Sequence, residues 1–144
     1  MPFGELSETD SAWLAGLIDG EGSLNVYFRN QIKRQGKGSN YGVFLQIVNT
    51  DKDIIGKVVY LCQANTPTIV RKKNRLPCYH VSISKRTEII RILRAISPYL
   101  TGYKKKRACL LLKYCESRST WGKGNGHQLT PSELSLLKQI QETK

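Results

Sequence analysis

What this chain lacks narrows its chemistry. Its longest apolar run, Ala12 to Ile18, is seven residues, against the roughly 20 that a helix needs to cross a bilayer, so no membrane role is expected. The opening Met1-Pro2-Phe3-Gly4-Glu5 has neither a basic start nor a hydrophobic segment, and no secretory signal is expected from it. Histidine is nearly absent, with only His80 and His127, and the four cysteines (Cys62, Cys78, Cys109, Cys115) form no Cys-x-x-Cys pair. Zinc-ligand spacing is therefore missing, and histidine-and-metal nuclease chemistry is disfavoured. The thiols are expected to be free and buried, in a reducing compartment. Acidic residues are scarce too: 11 Asp+Glu face 23 Lys+Arg, for a formal charge of +12. An excess of that size on one domain points to nucleic acid or an anionic surface as partner. The 144 residues suit a single domain, 1–144, with a core of its own.

The chain alternates between two hydrophobic periods. Ser7 to Ile18 has Trp13, Leu14, Leu17 and Ile18 at helical spacing, with Ser7 as cap and Asp10 as its capping-box partner. On another face Ala12, Gly16 and Gly20 recur every fourth residue, a row on which a second helix can pack backbone to backbone. The motif segment as a whole is 7–21. Gly22 to Asn30 then alternates, with Leu24, Val26 and Phe28 one way and Ser23, Asn25, Tyr27 and Arg29 the other. A basic, glycine-rich connection over 31–40 leads to a second strand, Tyr41 to Asn49, and together they make a first hairpin over 22–50. A helix is expected over 51–64, and a second hairpin over 67–84 with Tyr79, Val81 and Ile83 inward. Helices follow over 85–117, the first stopped by Pro98, then a glycine-interrupted loop and a last helix over 118–144. Thr130-Pro131-Ser132-Glu133 marks that last start: N-cap, proline at N1, glutamate at N3. The fold class is α+β, in the order α-β-β-α-β-β-α.

An antiparallel sheet with helices on one face leaves the other free. Ser23, Asn25, Tyr27, Arg29, Gln31 and Lys33 are expected on that free face. Asn40, Gln46, Arg71, Lys73, His80 and Ser82 extend it, a donor- and acceptor-rich surface suited to base edges in a major groove. A nine-residue strand, Gly22 to Asn30, is about 30 Å long and tracks roughly nine base steps. The run Lys104-Lys105-Lys106-Arg107 is a candidate phosphate-binding patch at a helix start.

The densest signal is Leu14-Ala15-Gly16-Leu17-Ile18-Asp19-Gly20-Glu21-Gly22. It ends a helix on two carboxylates, where unpaired carbonyls already make the environment negative. A divalent cation reverses that balance, because carboxylate and carbonyl oxygens suit a hard ion such as Mg²⁺. The stretch resembles the signature of the LAGLIDADG homing endonucleases in eight of nine letters, counting Glu21 for the usual Asp. The α-β-β-α-β-β-α order is also the fold that this resemblance implies, with a sheet forming a DNA-binding saddle.

The resemblance further implies a site-specific endonuclease hydrolysing both strands of a long, pseudo-palindromic DNA duplex, with Mg²⁺ as cofactor (Mn²⁺ or Ca²⁺ able to occupy the site). It assigns the metal to the Glu21 side chain and the Gly20 carbonyl, and to Asp19 a structural role. It places Asn49 where a polar residue organises water, and Lys104, with Lys106 as the alternative, near the scissile phosphate. Only one copy of the motif is present, so two chains meeting on the Ala12-Gly16-Gly20 face are expected to form a homodimer with one active site per strand. Two alternatives share this fold: an intron RNA maturase, acting as splicing cofactor, and a catalytically silent DNA-binding regulator. Family members are commonly intron-encoded, which implies an intracellular protein, of a mitochondrion or chloroplast if organelle-encoded and otherwise of a prokaryotic cytoplasm.

Overall fold

The computed structural model describes residues 5–29, 40–119 and 129–143. In chain order they form α1 (Glu8–Glu21), β1 (Gly22–Arg29), β2 (Asn40–Asn49), α2 (Lys52–Cys62), β3 (Thr68–Val70) and β4 (Cys78–Ile83). Then come α3 (Arg86–Ile96), a 3₁₀ turn at Ser97–Tyr99, α4 (Gly102–Ser119) and α5 (Pro131–Glu142). This is the α+β order expected. None of these helices is long and apolar enough to cross a membrane.

The strands form one antiparallel sheet in the order β1-β2-β4-β3. Leu24, Leu45 and Ile83 lie in register across three strands, and Ile47 pairs with Val81 beside them. All five are buried, and α1, α3 and α4 close over them with Leu14, Ile18, Ile92, Leu93, Ile96 and Leu111. The period-2 alternation thus puts the buried rows on one side, under the helices.

Ser7 starts α1, its Oγ accepting the Asp10 N–H at 3.1 Å. The expected return bond of a capping box is replaced, because the Asp10 carboxylate faces Lys57 of α2 at 3.7 Å. The buried side of α1 is Ser11, Leu14, Ala15 and Ile18, with Trp13 and Leu17 half-buried beside it. The helix continues past Ile18 to Glu21, so both motif carboxylates sit in its last turn. Gly22 makes the junction to β1 possible: a Cβ there would stand 2.8 Å from the Cα of Ile18.

Three expectations need correction, and one reaches beyond the described residues. The arms of the second hairpin are shorter than 67–84 suggests, and Arg71 and Lys73 lie off the strands, exposed in the 71–77 turn. The reason is the turn itself, where Asn74 takes a left-handed φ of 62° and the Arg75 N–H closes on the Lys72 carbonyl at 3.2 Å. The ninth residue of the first strand, Asn30, is outside the described residues, and β1 has eight, about 26 Å of strand. Helix α4 runs unbroken to Ser119, two residues past the expected boundary at 117. Finally, only Cys62 and Cys115 are buried; Cys78 is half-exposed and Cys109 exposed, all four free. The last start signal holds fully, with Thr130 Oγ1 accepting the Glu133 N–H and Glu133 Oε1 accepting the Thr130 N–H.

Candidate active site

The C-terminal end of α1 meets the N-terminal end of α4, and the two helix ends complement each other. Helix α4 opens on Gly102, at φ +62°, a left-handed conformation that favours glycine. Its first turn carries no acidic residue and instead holds Lys104, a charge of the wrong sign for the positive end of a helix. Asp19 supplies the missing anion. Its carboxylate accepts from the Thr101 N–H, at 3.1 Å to Oδ2, and from Thr101 Oγ1 at 2.9 Å. Lys104 works in the other direction, its Nζ donating to the carbonyls of Ile18 at 2.8 Å and Asp19 at 2.9 Å. The negative end of α1 is thereby neutralised by a cation from α4, and the positive end of α4 by an anion from α1.

Asp19 is therefore committed to the contact between the two helix ends. Glu21 is not. It ends α1 exposed, and its Oε2 accepts a short hydrogen bond from Asn49 Nδ2. The orientation of the Asn49 amide follows from its other contact. Oδ1 takes the Asp51 N–H at 2.7 Å, which can only donate, so Nδ2 must face Glu21. Asp51 in turn caps α2 through the Asp53 and Ile54 N–H groups. A line of contacts from the start of α2 thus holds the one uncommitted carboxylate of the motif.

Glu21, Asn49 and Lys104 are brought together at this helix end. Lys105 and Lys106 are exposed, and it is Lys104 that reaches the motif. The Gly20 carbonyl lies in the last turn, where intrahelical N–H partners run out. A carboxylate and a carbonyl are the hard oxygen donors that Mg²⁺ takes, and that ion keeps remaining positions for water and phosphate oxygens. Among the described residues no group of three or more His, Cys, Asp or Glu could hold a metal alone. The donor set fits a cation shared with something outside the chain.

The helix-free face of the sheet carries six of the twelve expected readers: Ser23, Asn25, Tyr27, Gln46, His80 and Ser82. Ser23, Gln46 and Ser82 stand in one row across β1, β2 and β4, and His80 pairs with Val48 and Thr68 in another. Asn25 faces Phe44, and the Tyr27 ring lies 5.9 Å from the Phe44 ring. Phe44, Val48 and Thr68 were missed by the sequence reading, although strand parity puts Phe44 and Val48 opposite the buried Val43, Leu45 and Ile47; a search for polar readers passes over apolar side chains. Arg29 and Asn40 pair in the β1–β2 ladder. Their side chains, and all of Gln31 and Lys33, lie outside the described residues.

Arg107 requires a correction. It is half-buried and not a free phosphate ligand. Nη1 donates to the Leu24 carbonyl at 3.1 Å and to Asn25 Oδ1 at 3.0 Å, and Nη2 to the Thr143 carbonyl. Edge strand β1 leaves its outer carbonyls without a ladder partner, and Arg107 fills that need.

No protein-family model and no curated protein matches the chain by sequence. Solved structures do match by shape. The homing endonuclease I-CvuI in complex with its target, in the presence of 2 mM Ca, superposes with a TM-score of 0.66 at 21% identity, over 93% of this chain and 81% of that one. The group I intron-encoded homing endonuclease I-CeuI complexed with DNA gives 0.71 at 16% identity, over 97% and 70%. The fold is that of the LAGLIDADG homing endonucleases. A LAGLIDADG endonuclease bound to cleaved DNA, I-SmaMI, also matches, with a TM-score of 0.65 at 21% identity, and there this chain covers 95% of itself but only 43% of its counterpart. One LAGLIDADG fold unit thus accounts for this chain and for less than half of I-SmaMI.

Proposed function

We propose that this chain is a homodimeric, divalent-cation-dependent, intron-encoded endonuclease that hydrolyses both strands of a long, pseudo-palindromic DNA site. The observation that carries the reading is the state of the two motif carboxylates. Asp19 is spent on Thr101, while Glu21 stands exposed at the edge of the polar sheet face, aimed by Asn49. The formal charge of +12 and the DNA complexes of the shape relatives support a duplex as the partner.

Glu21 and the Gly20 carbonyl are the groups that would hold the cation, Mg²⁺ by choice. A bound cation would supply charge neutralisation at the phosphate and lower the pKa of a bound water, so that the water gives up a proton more readily and becomes the nucleophile. The residues of the chain do the rest. Asn49 fixes the rotamer of Glu21, Lys104 fixes the last turn that carries Gly20, and the sheet face holds the duplex. One uncommitted carboxylate per chain suits a dimer. The dimer surface is the row of Ala12, Gly16 and Gly20, exposed in this chain, where a Cβ on either glycine would meet nothing within 4 Å.

Glu21→Gln tests the reading, because it keeps shape and hydrogen bonding while removing the charge. Metal-dependent single-turnover cleavage should fall by more than about a hundredfold, the loss of several kcal/mol of metal stabilisation. Equilibrium binding of the same duplex should persist or tighten slightly. Near-normal cleavage by Glu21→Gln would overturn the metal assignment. Specific binding without cutting by the wild type would leave the fold as a silent regulator.

A further inference from the structure

Among the described residues of the free sheet face, Asn25 has its amide held by a guanidinium. Alternation with the buried Leu24 puts it on that face, half-buried, opposite Phe44. Arginine has only donors, so the Asn25 atom 3.0 Å from Arg107 Nη1 is necessarily its oxygen. The guanidinium is itself clamped, because the same Nη1 holds the Leu24 carbonyl and Nη2 holds Thr143 beyond α5. The end of the amide left for a ligand is Nδ2, with its two hydrogens.

A free asparagine reads adenine at two points, accepting from N6 and donating to N7. With one lone pair of Oδ1 taken by Arg107, a second donor must approach the oxygen beside a guanidinium charge, which weakens that pairing. We propose that Arg107 is a specificity-determining positioning residue: it fixes the flip of the Asn25 amide and, through its charge, biases Asn25 toward donating from Nδ2, which favours a base edge that presents acceptors, O6 and N7 of guanine or O4 of thymine. The inference rests on the DNA-binding reading above, and it names which base class one position of each half-site must carry. The positive charge of the guanidinium works in the same direction, favouring the electron-rich edge of guanine.

The test is selection of bound sequences from a randomised duplex library by the full chain and its variants. The wild type should enrich guanine or thymine at one position per half-site, and Asn25→Ala should lose that preference, by about tenfold, at that position alone. Asn25→Asp is the decisive variant. It is isosteric and keeps its partner in Arg107, so folding is preserved, but it presents only acceptors. The preference at the same position should then switch to a donor-bearing base, cytosine through N4 or adenine through N6, with other positions unchanged. Arg107→Met should move it toward adenine by freeing Oδ1. Adenine enrichment at the Asn25-dependent position by the wild type would overturn the inference, as would an unchanged preference in Asn25→Asp. If the wild type enriches specific sequences but Asn25→Ala alters no position, this inference falls alone. If the wild type enriches nothing, the DNA-binding reading falls with it.

Discussion

The two carboxylates of the motif differ by two positions in sequence and entirely in circumstance. Asp19 is fixed by three contacts to Thr101, from the N–H to both carboxylate oxygens and from Oγ1; among the described residues Glu21 is bonded by Asn49. Hydrogen bonds to a charged group contribute about 1.5–3 kcal/mol. Asp19→Asn should therefore lower stability by roughly that amount, read as a fall in the denaturation midpoint, while cleavage per folded molecule stays near that of the wild type. A large loss of cleavage by fully folded Asp19→Asn would show that Asp19 takes part in chemistry. Burial separates the thiols in the same way, pushing Cys62 and Cys115 up to about 12 and out of reach of ordinary oxidation, whereas Cys109 is exposed.

Between elements, the contact with the most at stake joins α4 to α5. Arg118 and Glu133 form an ion pair at 3.1 Å with almost no exposure, 4% and 0%. Burial pushes the Glu133 carboxyl up, but bonds from the Thr130 N–H, Ser117 and Arg118 outweigh it and hold the group below its ordinary value of 4.5. A carboxyl whose folded pKa is depressed contributes stability that is complete above its unfolded pKa and is lost as pH falls through the folded one. Docking of α5 should accordingly weaken below about pH 4.5 and hold near neutrality. Glu133→Gln keeps the capping box but removes the carboxylate charge that faces Arg118. It should cost about 3–5 kcal/mol at pH 7 and flatten the acid transition, both measurable by denaturant melts across pH. An unchanged acid transition would mean that other carboxylates govern it.

For the whole molecule, the question is what the open face of α1 is for. A glycine inside a helix costs roughly 1 kcal/mol against alanine. Among the described residues, neither Gly16 nor Gly20 has a neighbour that requires its smallness. Gly16→Ala should thus raise the stability of the isolated chain by up to about 1 kcal/mol while weakening self-association, and Gly16→Leu should abolish it. Thermal melts alongside sedimentation at equal concentration decide the matter. If Gly16→Leu sediments like the wild type on and off DNA, the α1 face is not the dimer contact.

Local rules reach far into this protein. The two periods placed all four strands and five helices, Thr130-Pro131-Ser132-Glu133 set its own helix start, and strand parity separated the core rows from the polar face. Each of those signals is complete within a few residues, because a cap, a turn or an alternation is satisfied by its near neighbours. The state of the charges is not local. Asp19 finds Thr101 82 residues away, Lys104 finds Ile18 86 away, and Arg107 finds Asn25 82 away. From composition and periodicity, Lys104 to Arg107 is a single basic run, and only the family resemblance sets Lys104 apart from its neighbours and Asp19 apart from Glu21. Only when α4 docks on α1 and β1 does the run divide into a helix-end counter-charge, two exposed lysines and a clamp on Asn25, leaving Glu21 as the uncommitted carboxylate of the motif.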